Sequence, residues 1–412
     1  MTAGRLALLL ALLLYLLIAQ ATPVIELPTH RLYAHQLAII INDDDPLSRR
    51  IGAYYRKVRH IPAENVLHVH IKPGHPGIGI ARFNTLYQQI KDTTPPDVQA
   101  YALTWAAPWR VGCMSITSAF TFGFDRAFCS KTQCARTRFS PFYRSGSVLP
   151  YDGFGMRPTM AIAATRFKQA KALIDRGIAS DNTHPPGTAW LVSTADRARN
   201  VRSVFYPAIV KAMEGWIDTR IAKTDALKNV RDILFYFTGR ASVQGLETLA
   251  FRPGAIADHL TSAGGQLTTS RQMSALRWLE AGATGSYGTV TEPCNLTGKF
   301  PNPGFVMDAY GSGRTLIEAY WQSVQQPGEG IFIGEPLAAP FEGQQVEEKD
   351  NHILLTTRTL TPGLYRLSVS SSPVGPFKPQ PWVLKASYHQ KTFRLPKLKA
   401  NYYRLELVRG GR

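Results

Sequence analysis

The chain has 412 residues, of which 47 are Lys or Arg and 29 are Asp or Glu, so its formal net charge is +18 at pH 7. A hydrophobic fraction of 44% with 18% charged residues excludes a disordered chain and a polytopic membrane protein. The length predicts two or three domains that each bury a core. The basic surface favours an anionic partner, of which nucleic acid is the usual one.

The first 21 residues have the three parts of a secretory signal peptide. Arg5 gives the positive region, residues 6–19 are apolar, and residues 19–21 (Ala-Gln-Ala) give the cleavage site. The apolar run is shorter than the roughly 18–20 residues that span a bilayer, although an uncleaved anchor is the alternative. We therefore expect cleavage after Ala21 and a periplasmic or secreted protein. Export argues against nucleic acid and favours anionic envelope polymers or a membrane surface as partners.

In chain order, the first half alternates strands and helices. Strands are expected at residues 37–42, 65–71 and 98–105. Helices are expected at 48–59 (after a cap at Asp45 and Pro46) and 82–91. This order predicts an α/β fold with a largely parallel sheet covered by helices.

Residues 106–156 interrupt this alternation. They hold three of the four cysteines and many aromatic residues. Their basic side chains outnumber the acidic ones, Asp125 and Asp152; the bases are Arg126, Lys131, Arg136, Arg138 and Arg144. A loop of this length inside a compact domain is usually functional. We therefore expect this insertion to contribute to a site.

After the insertion, the alternation resumes. Strands are expected at residues 159–164, 188–192, 232–237, 283–290 and 330–334, and helices at 167–176, 199–215 (broken by Pro207), 253–262, 274–281 and 314–324. Residues 344–350 have the composition of a linker, and those from 353 onward alternate like a small antiparallel sheet. The expected organisation is a signal peptide at 1–21, an α/β domain at 22–343 and a small β-sandwich-like domain at 351–412.

The cysteines are Cys113, Cys129, Cys134 and Cys294. An even number in an exported protein predicts two disulfides, for which three pairings exist. We expect a local bond between Cys129 and Cys134 and a long-range bond between Cys113 and Cys294. The paired Cys-x-x-Cys spacing of zinc sites is absent, so the cysteines predict no zinc site.

Familiar catalytic motifs are absent: the sequence has no HExxH, GxSxG or P-loop motif, and no GxGxxG after a strand. We expect no cofactor. In the Gly-rich stretch 282–303, Glu292 and Cys294 follow a strand and provide a candidate acid/base and a candidate nucleophile, with Asp308 as a further acid. The alternative is a tight turn that carries a half-cystine.

Two further groups are candidates for binding. Trp105 and Trp109 either stack on sugar rings or a peptide, or form a small core, and Arg110 and Thr289 are the other candidate binding residues. His68 and His70 face one side of a strand, so with the run Asp43 to Asp45 they are a candidate metal site. A polar strand face with a helix cap explains the same residues, and we expect no metal.

Four segments together resemble an uncharacterised family of exported bacterial proteins. They are DDDPLSRRIGAYYRKVRHIPAENV (43–66), CMSITSAFTFGFD (113–125), GATGSYGTVTEPC (282–294) and FIGEPLAAPF (332–341). The resemblance covers roughly residues 35–342. That family occurs in species with the exosortase protein-sorting system, and its activity is not established. Because the Pro-Glu-Pro motif and apolar tail of exosortase substrates are absent, the resemblance implies a companion of that system rather than its cargo.

The layout is also similar to that of gingipain-type cysteine peptidases, in which a caspase-like α/β domain precedes a small immunoglobulin-like sheet. Where those enzymes carry His-Gly after a central strand, this chain has Thr238-Gly239, and no cysteine follows the next strand. The resemblance therefore implies the fold without the peptidase residues.

The first hypothesis is an exported protein that binds a peptide or an anionic polysaccharide of the envelope. Its cleft is expected between the insertion and loop 282–303, and it is expected to serve an exosortase-type surface-protein or exopolysaccharide system. The alternative is a peptidase-like or glycan-acting hydrolase that uses Glu292 with Cys294 or Asp308. The sequence leaves the ligand, the oligomeric state and the presence of catalysis open.

Overall fold

The computed structural model describes residues 22–132, 134–387 and 390–410, so the expected signal peptide lies outside the described residues. The chain divides into two compact units. One contains residues 30–342, and the other combines the described residues before position 30 with those from 343 onward.

The unit of residues 30–342 is built on a ten-stranded sheet. Its strands are β2 (Leu37–Asn42), β3 (Val66–Val69), β5 (Ala100–Leu103), β8 (Thr159–Ala161), β9 (Thr188–Ser193), β10 (Asp218–Lys223), β11 (Ile233–Gly239), β12 (Phe251–Leu260), β13 (Gly285–Thr289) and β14 (Gly330–Gly334). A separate small sheet holds β4 (Gly77–Ile78), β6 (Arg110–Val111) and β7 (Met114–Ser115).

Neighbouring strands of the large sheet are parallel, except for one pair. The order is β10-β9-β11-β12-β13-β14-β8-β5-β2-β3, and β13 and β14 are antiparallel. Two parallel halves therefore run in opposite directions. The carboxyl ends of β9 to β13 form one edge, here the β12 edge, and those of β2, β3, β5 and β8 form the opposite edge, the β2 edge.

Nine helices among the described residues accompany these strands. They are α1 (Pro46–Arg59), α2 (Ile80–Thr93), α3 (Ile116–Phe122), α4 (Pro150–Phe154), α5 (Phe167–Ser180), α6 (Tyr206–Met213), α7 (Leu276–Ala281), α8 (Pro303–Gly311) and α9 (Leu316–Ser323). The cap expected for α1 is present, because Asp45 Oδ1 accepts the Leu47 N–H at 2.8 Å. In the described part of the chain, no helix has the length and apolarity needed to cross a membrane.

Both faces of the sheet are covered. Along β9, Ala189 and Leu191 join the main core, whereas Trp190 and Val192 pack into a second, smaller core. Such two-sided burial is typical of parallel sheets in α/β proteins. The structure thus confirms the α/β fold with a largely parallel sheet.

Three local predictions were wrong. Residues 253–262 belong mostly to β12 instead of a helix, because a short apolar run has no period that separates the two. Residues 344–348 form a strand instead of a linker. Pro207 lies in the first turn of α6 and begins that helix, where its missing N–H costs nothing.

The second unit is a small sandwich of two sheets. Its strands are β1 (Val24–Glu26), β15 (Gln344–Glu348), β16 (His352–Thr357), β17 (Gly363–Ser370), β18 (Lys378–Pro379), β19 (Val383–Lys385), β20 (Thr392–Pro396) and β21 (Tyr402–Gly410). Strands β15, β16 and β20 form one sheet and the others form the second. Ile353 and Leu367, which come from the two different sheets, pack in one apolar cluster between them. Unlike its antiparallel neighbours, β1 pairs in parallel with β21.

Candidate functional site

The disulfides correct the expected pairing. Cys113 is bonded to Cys129, and Cys134 is bonded to Cys294, with Cα–Cα distances of 5.8 and 5.2 Å. The expected Cys129–Cys134 and Cys113–Cys294 bonds were wrong because proximity in sequence does not fix the path of the insertion. With its sulfur in a disulfide, Cys294 is not a nucleophile. Two disulfides are typical of an oxidising compartment.

The insertion and loop 282–303 are brought together in the structure. The Cys134–Cys294 bond joins them covalently, and Thr291 Oγ1 donates a hydrogen bond to the Cys113 carbonyl at 3.3 Å. Loop 282–303 contains the carboxyl end of β13, so this contact lies at the β12 edge of the sheet.

A buried ion pair anchors the same junction. Lys299 Nζ lies 2.7 Å from Glu329 Oε2, and the two side chains are 1% and 3% exposed. Glu329 Oε1 accepts the Ser130 N–H at 2.9 Å, and Lys299 Nζ donates to Ser130 Oγ at 2.7 Å. Each charge is buried with its partner and a further hydrogen bond, so removing either side chain would leave the other charge buried and unpaired. Hydrogen bonds from Ser130 to Glu329 and from Lys299 to Ser130 therefore attach the insertion to this ion pair.

A cavity of about 550 Å³ lies beside Ser130, on the insertion itself. Arg126 and Lys131 supply its basic side chains, and both are exposed. The remaining lining is mostly apolar: Ile80, Gly112, Cys113, Phe124, Ala127 and Cys129. No residue of loop 282–303 is among those that line it, so the cavity lies within the insertion and its α2 neighbour rather than between the two segments.

Gly112 keeps this cavity open. Its φ of +56° lies in the left-handed region, and an added Cβ would come within 3.1 Å of the Phe124 ring and 3.4 Å of Ile80. A side chain at this position would be strained and would also crowd the lining.

The two candidate tryptophans lie in the core. Trp105 and Trp109 are 1% and 2% exposed, and the Trp105 indole N–H donates to the Pro108 carbonyl at 3.2 Å. Trp105 also meets Phe120 edge-on, with ring centroids 6.2 Å apart. Of the two interpretations of these tryptophans, the small core is the one that the structure supports, and their burial excludes stacking on a sugar.

The other candidate residues also serve local structure. Arg110 is half-buried in β6, with its guanidinium 5.1 Å from the Trp109 ring centroid. Thr289 is buried, and its hydroxyl contacts the Thr261 and Ser262 carbonyls at 3.0 and 3.1 Å. Neither lines the cavity.

The candidate acids are on the surface. Glu292 is exposed, and its Oε1 accepts the Cys294 N–H at 2.8 Å, which is the geometry of a side chain that closes a turn. Asp308 is exposed on α8. The structure removes Cys294 from the proposed hydrolase machinery, whereas a role for Glu292 and Asp308 stays a prediction.

The β12 edge is closed by packing where the sequence departs from the gingipain pattern. A Cβ on Gly239 would lie 1.9 Å from the Arg199 carbonyl oxygen, and Thr238 is fully buried. Beneath them Arg202 and Asp258 form a buried ion pair at 2.6 Å. Burial raises the pKa of Asp258, and Arg202 opposes that shift. At Thr238 and Gly239, the β12 edge is therefore packed as tightly as a protein core.

The histidines at the β2 edge are paired with aspartates. His68 Nδ1 lies 2.9 Å from Asp43 Oδ1, and His70 Nδ1 lies 2.9 Å from Asp44 Oδ1. Asp45 caps α1 instead. The described residues contain no group of three or more His, Cys, Asp or Glu side chains placed to hold a metal ion.

Sequence reasoning identified the insertion but not the cavity in it. The bases of the insertion include Arg126 and Lys131, but the sequence does not separate these two from Arg136, Arg138 and Arg144. The apolar lining could not be predicted from the sequence, because Ile80 belongs to α2 and meets the insertion only through tertiary packing.

No protein-family model matches the chain, and no curated protein matches it. A structural likeness exists to the crystal structure of the Arg-specific cysteine proteinase gingipain R. It covers 92% of this chain and 98% of that chain, with a TM-score of 0.43 and 9% sequence identity. Gingipain R belongs to the peptidases whose layout the sequence resembles, but a likeness at this score carries no argument about catalysis or ligands.

Proposed function

We propose that this protein is an exported, non-catalytic binding protein of the cell envelope. Its ligand is a peptide segment that presents an apolar side chain next to a carboxylate, and its site is the cavity of the insertion. The observation that carries this proposal is the combination of a largely apolar lining with Arg126 and Lys131. A pocket with an apolar wall and a few placed charges is typical of specific ligand sites.

The tryptophans favour a peptide over a polysaccharide. Sugar-binding sites use exposed aromatic faces, and Trp105 and Trp109 are buried. In the cavity, Phe124 is half-buried against Gly112 and does not offer a broad platform. Apolar contact with a side chain, combined with charge-assisted hydrogen bonds to a carboxylate, fits the lining better.

Three observations favour binding over hydrolysis. Cys294 is held in a disulfide, and Glu292 closes a turn. At the β12 edge, the backbone around Gly239 is covered by Arg199. The cavity of the insertion, by contrast, combines space with two basic side chains.

Export and the exosortase association rest on the sequence. The disulfides support an oxidising compartment. The resemblance of four segments to the exosortase-associated family supports a role beside that sorting system. In this proposal the protein is an accessory that recognises a peptide of an exported surface protein.

The test is a binding titration with fluorescent peptides. Short peptides with Leu or Phe next to Asp or Glu are compared with the same peptides carrying Asn or Gln, using fluorescence anisotropy. Arg126→Glu with Lys131→Glu is expected to weaken binding at least tenfold, because each base loses a charge-assisted hydrogen bond worth about 1.5–3 kcal/mol. Arg136→Glu is the matched control, since Arg136 is an exposed base of the same insertion that does not line the cavity.

Two outcomes would contradict the proposal. Equal weakening by Arg136→Glu would mean that overall charge, not the cavity, attracts the peptide. Binding of acidic oligosaccharides without any binding of peptides would replace the peptide with a polysaccharide.

A further inference from the structure

Two histidine–aspartate pairs stand side by side at the β2 edge. His68 is on β3 and His70 follows that strand, while Asp43 and Asp44 follow the adjacent strand β2. The parallel register of β2 and β3, with Asn42 opposite Val69, places these two ends together. In open α/β sheets, the carboxyl ends of parallel strands are where ligands bind.

The two imidazoles lie on one face of the chain. Residues two apart on an extended chain point to the same side. Each ring directs Nδ1 at a carboxylate, at 2.9 Å in both pairs. A carboxylate at Nδ1 favours the tautomer with its proton on Nδ1, in which Nε2 carries the lone pair. The side chains of His68 and His70 are 53% and 64% exposed, so a metal ion in solvent can reach them.

We propose that His68 and His70 form a two-histidine binding site for a divalent transition metal, Cu²⁺ or Zn²⁺. Both rings bind the ion through Nε2, and water completes its coordination. Asp43 and Asp44 are positioning residues that fix the tautomer and the orientation of the rings. The site is independent of the peptide-binding cavity, because none of these four residues lines it.

The chemistry of the donors selects the metal. Imidazole nitrogen favours Cu²⁺, Ni²⁺ and Zn²⁺, whereas Ca²⁺ and Mg²⁺ require several oxygen ligands. Here His68 contacts both carboxylate oxygens of Asp43, and His70 contacts Oδ1 of Asp44. A carboxylate bound to the remote nitrogen of a ligating histidine is the usual support of such sites, and its loss typically lowers metal affinity about 10- to 100-fold.

The probe is Cu²⁺ added to tag-free, full-chain protein, followed by electron paramagnetic resonance and by competition with a chelator. The expected spectrum shows two equivalent imidazole nitrogens. His68→Ala with His70→Ala is expected to remove that signal and to lower the affinity at least 100-fold. Asp43→Asn with Asp44→Asn is expected to keep the two-nitrogen spectrum while lowering affinity about 10- to 100-fold.

His75→Ala is the matched control, because His75 is an exposed histidine of the loop that follows β3. It is expected to leave the affinity unchanged, and Ca²⁺ is not expected to compete. The proposal is overturned if wild-type protein binds no Cu²⁺, if the double histidine variant still binds it, or if His75→Ala weakens binding as much as His68→Ala. Unchanged affinity in the double asparagine variant would remove the positioning role of the aspartates.

Discussion

His259, near the end of β12, is a histidine that the fold keeps neutral. It is 1% exposed, its Nδ1 accepts the Trp278 indole N–H at 2.9 Å, and its Nε2 contacts the Met273 carbonyl at 3.0 Å. Burial lowers the pKa of His259 to about 4, since the charged ring would lose its hydration. The tautomer that satisfies both partners is the one with its proton on Nε2.

This burial predicts a pH dependence of stability. Between pH 6.5 and 4 the unfolded state binds a proton at His259 and the folded state does not, so stability falls as the pH falls. The expected loss from pH 7.5 to pH 5 is about 2 kcal/mol. Urea unfolding at the two pH values should show this loss in wild type and a smaller one in His259→Gln. The exposed His60→Gln is the control, and an equal loss in wild type and His259→Gln would contradict the assignment.

At the scale of single residues, the sequence predicted which residue types take part in a contact better than it predicted which residues they contact. Two disulfides were predicted from four cysteines in a chain expected to be exported, and that number was correct. Their pairing was not accessible, because it depends on how the insertion folds back towards Cys113 and on where loop 282–303 meets it. The same holds for Trp105, whose residue type suits both a core and a sugar platform until its neighbours are known.

Among the elements, the strands with continuous apolar runs were predicted well. Residues 37–42 and 232–237 have no polar face, which is typical of strands covered on both sides. The strand β10 was missed because its sequence, DTRIAK, is largely polar and it lies at the edge of the sheet. The cavity was missed for a related reason: its walls come from α2 and the insertion, and no local pattern encodes their contact.

The element that follows β9 is locked in place by one arginine. Arg202, in the short 3₁₀ segment Asn200–Phe205, pairs with Asp258 at 2.6 Å, with each side chain 2% exposed. It also donates to the Thr238 carbonyl at 2.6 Å and to the Pro301 carbonyl at 3.1 Å. A single side chain thus joins this segment to β11, β12 and the start of α8.

Removing Arg202 is expected to be costly. Arg202→Met leaves the Asp258 carboxylate buried without its cation, and loss of one partner of a buried pair costs about 3–5 kcal/mol. The double variant with Asp258→Asn should lose less than the sum of the two single variants, since no charge remains buried. Urea unfolding of the four proteins gives the coupling energy, and additive losses would contradict it. Lys171→Met, at an exposed ion pair on α5, is expected to change little.

At the scale of the whole molecule, the reversal at β13 and β14 separates two chemical environments. The cavity of the insertion adjoins Cys113, whose carbonyl contacts the loop after β13, whereas the histidine pairs lie at the β2 edge. A sheet with all strands in one direction would have placed every carboxyl end at one edge. Because β13 and β14 are antiparallel, the loops that follow the parallel strands lie at both edges of the sheet.

The sandwich unit includes strand β1, which precedes the α/β unit in the sequence. Strand β1 pairs in parallel with β21, with Val24 opposite Tyr402 and Ile25 opposite Tyr403. Ile25 is 5% exposed and packs in the sandwich core, whereas Val24 is 56% exposed. Residues at opposite ends of the described chain therefore share one core, so that core is complete only after β21 has been synthesised.

This closure predicts a sharp difference between two neighbouring substitutions. Ile25→Asp places a carboxylate in the sandwich core and is expected to destabilise that unit by about 3 kcal/mol or more, through lost apolar burial and an unpaired buried charge. Val24→Asp is the matched control, because its side chain points to solvent on the same strand. Amide hydrogen exchange should accelerate in β17 and β21 with Ile25→Asp and stay near wild type with Val24→Asp. Equal exchange in the two variants would mean that β1 adds nothing to the sandwich, and its parallel pairing with β21 would then be incidental to stability.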